Sequence, residues 1–134
     1  MGEIAFFTPG RPSPQGSKRH VGGGRMVESS KHVGSWRNQI HWHAMKQRRN
    51  LFVGPVALRL EFIMPRPKSL PKSKPTPPAT KRTGDSDKLA RAALDALSGA
   101  CYHDDAQVIE LHVYKRIAEP DEQSGVHITI QEAS

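Results

Sequence analysis

The chain reads as an α+β domain: a two-layer sandwich in which a mixed β-sheet carries two main helices on one face. Three observations predict this. Val56 to Met64 places Val56, Leu58, Leu60, Phe62 and Met64 in alternation with Ala57, Arg59, Glu61 and Ile63, the period of a half-buried strand. Two stretches, 31–49 and 85–98, carry apolar residues at helical spacing instead. Further strand-like runs stand at both ends of the chain. Two helices cannot cover both faces of so wide a sheet, so they belong on one. A length of 134 residues suits a single domain, and the 36% of apolar residues is low enough that some segment should stay outside the core.

Taken in order, Glu3 to Thr8 (EIAFFT) is a first strand, stopped by Pro9-Gly10. The proline-punctuated stretch after it is a loop carrying Arg11, Lys18 and Arg19. Val21-Gly22-Gly23-Gly24-Arg25-Met26 reads as a hairpin tip between short β arms. Ser29 or Ser30 can cap a helix from about Lys31 to Arg49, whose inner face is Val33, Trp36, Ile40 and Ala44. Gly54-Pro55 ends that unit and the 56–64 strand follows.

Residues 65–83 hold six prolines and six Lys or Arg in nineteen positions with no periodicity, so they are expected to form a flexible basic, Pro-rich arm. Asp85 to Ser98 is a short amphipathic helix with Leu89, Ala92, Ala93, Ala96 and Leu97 inward. Asp85 or Ser86 is its natural N-cap and Gly99 its natural C′ residue. Val108 to Lys115 and Val126 to Ile130 are two further strands.

Composition narrows the function. A lone cysteine, Cys101, excludes an internal disulfide framework and a cysteine-built zinc site, and fits a reducing cytosol. No apolar run approaches the ~18 residues of a membrane span, and the first residues lack the pattern of a signal peptide. A cytoplasmic protein is therefore expected. The net charge of +7 is unevenly spread: residues 1–82 hold 16 basic and 3 acidic side chains, residues 83–134 hold 4 and 10. The basic part suits a polyanion such as nucleic acid, or simply a solvated basic surface. The acidic part is the informative one, because carboxylates repel phosphate unless a cation stands between them.

The carboxylates in question are Asp85, Asp87, Asp95, Asp104 and Asp105. By spacing alone, Asp85 and Asp87 fit helix capping and dipole compensation, the commoner use of such residues, and Asp104-Asp105 fits a turn. The alternative is a divalent-metal site, reached if the following strand returns residue 105 to the helix N-terminus. Mg²⁺ takes oxygen ligands, and one held here could polarise a phosphodiester and generate hydroxide.

The segment GDSDKLARAALDALSGACYHDDAQV resembles the signature of the RusA family of Holliday-junction resolvases. The family pattern is D-x-D-N-L, a helix with a basic residue, D-A-L, then D-D-x-Q. Here it stands as Asp85-Ser86-Asp87-Lys88-Leu89, Arg91, Asp95-Ala96-Leu97 and Asp104-Asp105-Ala106-Gln107. The strong match covers about 25 residues, with a looser one through PGRPSPQGSKR and GPVALRLEFIMPRPKS.

The resemblance implies a Mg²⁺-dependent endodeoxyribonuclease, with Mn²⁺ as a substitute, that works as a homodimer on four-way DNA junctions by paired symmetric nicks in recombination and repair. It puts the metal on Asp85, Asp87 and Asp105. It also puts Arg91 where the family has a lysine, a departure because a planar fork replaces a point charge. Flaps or forks as substrates, or a non-catalytic DNA-binding protein, are the rival readings.

Lys18, Arg19, Lys72, Lys74, Lys81, Arg82 and Lys88 are the expected DNA contacts. Asp95 is expected to be structural and Asp104 to point away from the site. Trp36 is expected in the core and Trp42 partly so, with base stacking as its other use. His41 and His43 lack further partners for zinc.

Overall fold

The alternation at Val56–Met64 becomes the second-innermost strand of a four-stranded sheet in the computed structural model, which describes residues 2–15, 18–20, 26–28, 32–47, 50–80 and 85–133. The strands of that sheet are β1 (Glu3–Pro9), β4 (Val56–Met64), β5 (Val108–Ile117) and β6 (Gly125–Glu132). Their order is β1-β6-β4-β5. β6 runs antiparallel to both β1 and β4, whereas β4 and β5 are parallel, so the sheet is mixed. β2 (Lys18–His20) and β3 (Met26–Glu28) pair antiparallel as a separate ribbon. They are the arms of the expected hairpin, whose tip at 21–25 lies outside the described residues.

Register explains the core. Leu58 pairs with Ile130, Leu60 with Ile128 and Phe62 with Val126, which puts three apolar rungs on one face. α1 (Val33–Gln47) and α2 (Ser86–Leu97) both pack there. α1 contributes Val33, Trp36, Ile40 and Ala44, the stripe its sequence spacing marks, and α2 contributes Leu89, Ala90, Ala92, Ala93, Ala96 and Leu97. The fold is thus the two-layer α+β arrangement expected, with both helices against one face of an open sheet.

The alanines matter, because a small inner surface lets α2 lie close to the sheet and to α1. Gly99, at φ 82°, turns the chain out of α2 at C′. Gly125 begins β6 where any larger residue would collide, since an added Cβ would stand 2.2 Å from the Thr8 carbonyl oxygen.

Some boundaries shift. α1 begins at Val33, with His32 outside the helix, and the expected ends Lys31 and Arg49 lie outside the described residues together with Ser29, Ser30 and Arg48. β5 and β6 each extend past their expected ends. Trp42 is a correction: it is 64% exposed, while Trp36 is 3% exposed. The reason is angular. Trp42 sits two residues from both Ile40 and Ala44, on the opposite side of the helix from the buried stripe. The Lys46 ammonium lies over its ring.

Residues 65–80 form no helix or strand. Arg66 gathers them: its guanidinium donates to Thr76 Oγ1 and to the carbonyls of Pro71, Lys74 and Ala118. Thr76 in turn donates to the Glu119 carboxylate. Across the sheet edge, Arg116 on β5 binds Glu61 of β4 through Nε and holds Glu122 with both terminal nitrogens. No helix among the described residues is long and apolar enough to cross a membrane.

Candidate active site

Parallel pairing of β4 and β5 needs a crossover between them, and α2 supplies it. Every candidate carboxylate lies on this crossover. Asp85 is the N-cap residue of α2 with extended backbone (φ −74°, ψ 136°), yet its side chain makes no capping hydrogen bond. The carboxylate is therefore not spent on the duty that spacing alone assigns it. Asp87 follows in the first turn, exposed. Arg91 and Asp95 come at successive steps of four residues and are also exposed, so Asp87, Arg91 and Asp95 form one outward stripe about 12 Å long. Lys88 is half-buried, and its carbonyl accepts from Gln15 N at 2.9 Å, which ties the loop after β1 to the start of α2.

Asp105 opens a single 3-10 turn, Asp105–Gln107, immediately before β5. Its carboxyl is exposed and held above its ordinary range. Partial desolvation is the first cause. A side-chain hydrogen bond with Asp104 and the charges of Asp104 and Asp95 add to it, and Arg91 works the other way. Nearby, burial and then the charge of Asp105 push the Tyr102 hydroxyl far up, and this phenol donates to the Leu94 carbonyl at 2.9 Å. Asp104 caps the turn, accepting from Ala106 N at 2.8 Å.

The structure thus sets Asp105 against Arg91, Asp95 and Tyr102. Among the described residues, no three His, Cys, Asp or Glu side chains are gathered as the ligands of one ion. Asp85 and Asp87 stand at the N-terminal end of α2, and Asp105 on the turn that follows its C-terminal end. A strand parallel to β4 must start where β4 starts, and that is the end α2 has reached by Leu97 and Ser98. As a donor set the carboxylates still suit a hard, oxygen-seeking cation. The mutual repulsion at Asp105 is what such a cation would relieve.

The expected DNA contacts are dispersed. Lys18 and Arg19 fall on β2. Lys72 pairs with Asp121 at 2.8 Å, both side chains well exposed, and Lys74 stands in the Arg66-gathered segment. Lys81 and Arg82 lie outside the described residues. His41 places Nδ1 at 2.8 Å from the Ala96 carbonyl, and His43 at 2.9 Å from that of Gln39, so each ring is used within the helical layer.

Gln107 escapes a reading by residue chemistry. Its side chain makes four hydrogen bonds: Oε1 accepts from His103 N and Asp104 N, and Nε2 donates to the carbonyls of Phe52 and Gly54. Asp104-x-x-Gln107 is a capping-box pattern, the signal in the sequence that could have found this bonding role beside its place in the D-D-x-Q motif.

Comparison with known proteins identifies the family. The sequence model of the family described as endodeoxyribonuclease RusA matches residues 9–131. The chain is also 29% identical over 143 aligned positions to the uncharacterized protein YqaN of Bacillus subtilis (strain 168), covering 98% of this chain and 97% of that protein. The chain belongs to the RusA family. It is an endodeoxyribonuclease, and the family implies Holliday-junction resolvase activity.

Proposed function

We propose that this endodeoxyribonuclease is Mg²⁺-dependent and resolves Holliday junctions as a homodimer, by paired symmetric nicks in DNA recombination and repair. The observation that carries the reading is the setting of Asp105 on the turn before β5: an exposed carboxyl raised first by partial desolvation, then by Asp104 and Asp95, and opposed by Arg91. Acids held together on a surface that must meet phosphate make chemical sense when a divalent cation lies between them. Asp85, Asp87 and Asp105 would hold that ion. When bound, it would polarise the phosphodiester and supply hydroxide for in-line attack.

Mg²⁺ is usually held by one or two carboxylates and completed by waters and substrate phosphate. The reading therefore needs no three-acid cage before DNA arrives. Mn²⁺ takes the same oxygen donors and can substitute. Arg91, between Asp87 and Asp95 on the exposed stripe, offers its planar fork to the non-bridging phosphate oxygens. Lys18, Arg19, Lys72, Lys74, Lys81, Arg82 and Lys88 would hold the DNA backbone, which sets register without reading sequence. Two sites related by a two-fold axis suit the near two-fold symmetry of a four-way junction.

The test is a synthetic four-way junction with labelled arms, incubated with and without Mg²⁺, beside Asp87→Asn. Paired nicks that need both metal and Asp87, with junction binding retained in the variant, are expected. Cleavage at the parental rate by the variant, or in EDTA, would overturn the site. Flap and fork substrates at equal salt decide the structural preference.

A further inference from the structure

We infer that Gln107 is a positioning residue that sets Asp105 against the substrate phosphate, an inference that rests on the reading of Asp105 as a working carboxylate. The turn bearing Asp105 is three residues long and buries none of them. A single 3-10 turn has little stability of its own, so something outside it must fix where Asp105 stands. Gln107 does this from both sides of its amide. Oε1 closes the turn by accepting from His103 N at 2.8 Å and Asp104 N at 3.1 Å. Nε2 ties the closed turn to the segment before β4, donating to Phe52 O and Gly54 O at 2.9 Å each.

That segment is itself anchored. The Phe52 side chain is fully buried, and its amide donates to the Cys101 carbonyl at 2.8 Å. Buried Tyr102 on one side and Val108 of β5 on the other flank the turn, and between them the Gln107 side chain is what ties the turn itself to this anchored segment. Only glutamine meets the demand. Glutamate has the length but no donor for the two carbonyls, asparagine is a methylene short, and methionine fills the space with neither function.

Two variants separate the two ends of the amide. Gln107→Glu keeps an acceptor for His103 N and Asp104 N but faces the Phe52 and Gly54 carbonyls with a charge. Gln107→Met loses both sets of bonds without adding charge, and it carries the test if the glutamate protein fails to fold. Each is measured beside Asp105→Asn for melting temperature, junction affinity in EDTA, and single-turnover cleavage in Mg²⁺.

The expected result is a cleavage rate about 100-fold down, the scale of an ångström's misplacement at a reacting group. Junction affinity should stay within about twofold, the signature of a lost transition-state interaction. Parental cleavage by both Gln107 variants, with Asp105→Asn inactive, would overturn this inference alone. A fall in junction affinity matching the fall in rate would also overturn it, because Gln107 would then act through binding. Parental cleavage by Asp105→Asn would remove the reading of Asp105 beneath it.

Discussion

Glu122→Gln tests the charge network at the sheet edge. Glu122 accepts from Arg116 Nη1 and Nη2 at 2.7 and 2.6 Å and from Glu119 N at 2.8 Å. The Arg116 fork, chiefly, holds the carboxyl down to about 2 from an ordinary 4.5, and the backbone bond assists against the cost of partial burial. At about 1.4 kcal/mol per pKa unit, that depression would be worth roughly 3 kcal/mol at neutral pH. The side chains of Arg116 and Glu122 are 41% and 30% exposed, so solvent screening reduces the figure to about 1–2 kcal/mol.

The pH dependence has a definite sign. A carboxyl whose pKa is lower in the folded state stabilises the fold above its unfolded value, and the contribution fades as pH falls through the folded one. Urea unfolding of parent and variant should therefore differ by about 1–2 kcal/mol at pH 7. The difference should shrink between pH 4.5 and about 2, where the parental carboxyl also becomes neutral. A difference that persists undiminished at the acid end, or none at pH 7, would refute the assignment of this energy to the ion pair.

Three further outcomes follow from particular contacts. Gly125→Ala should lower stability by about 2 kcal/mol or more, because its Cβ would meet both the Thr8 carbonyl and the Phe7 ring; thermal melting reads this directly. Lys72→Ala should leave melting within about 0.5 kcal/mol of the parent, because its ion-pair partner Asp121 is as exposed as it is. It should also reduce the slope of log affinity for a DNA junction against log salt by about 1. Trp36→Ala should cost about 3–5 kcal/mol, whereas Trp42→Ala, on the exposed side of the same helix, should change stability by no more than about 0.5 kcal/mol.

The elements were legible wherever one physical rule governed them. Val56–Met64 emerged with the boundaries its alternation marks, and the buried stripe of α1 is the one its spacing marks. Edge positions were less legible. Among the described residues β5 pairs with β4 alone, so its exposed Ile109, Leu111 and Tyr114 follow from strand order, which local pattern does not encode. Trp42 misleads because aromatic character suggests burial while its helical angle forbids it. The acidic residues were legible as a motif but not as a constellation. How the crossover lays them out depends on β4 and β5 being parallel, and no local sequence feature states that. Gln107 was legible as the end of the D-D-x-Q motif and as half of a capping box, but not as a tie to the core, because its other two bonds reach residues 53 and 55 positions away.

Whether Arg91 does the electrostatic work of a lysine can be asked without cleavage. Partial desolvation first, then Asp104 and Asp95, raise the Asp105 carboxyl, and Arg91 is the cation that opposes them. In metal-free protein, the Asp105 midpoint followed by its carboxyl ¹³C shift should move up in Arg91→Gln, because the opposing charge is gone. It should move down in Asp95→Asn, because one repelling charge is gone. Arg91→Lys keeps the charge, so its midpoint should stay near the parental one, although the planar fork is lost. The three signs together separate charge from shape. If Arg91→Gln left the midpoint in place, Arg91 would not be acting on Asp105 electrostatically, and any loss of cleavage in that variant would have to come from its contact with DNA. If Arg91→Lys moved it as far as glutamine does, the geometry of the guanidinium would be required to bring positive charge to Asp105, and the departure from lysine would be compensated elsewhere on the stripe.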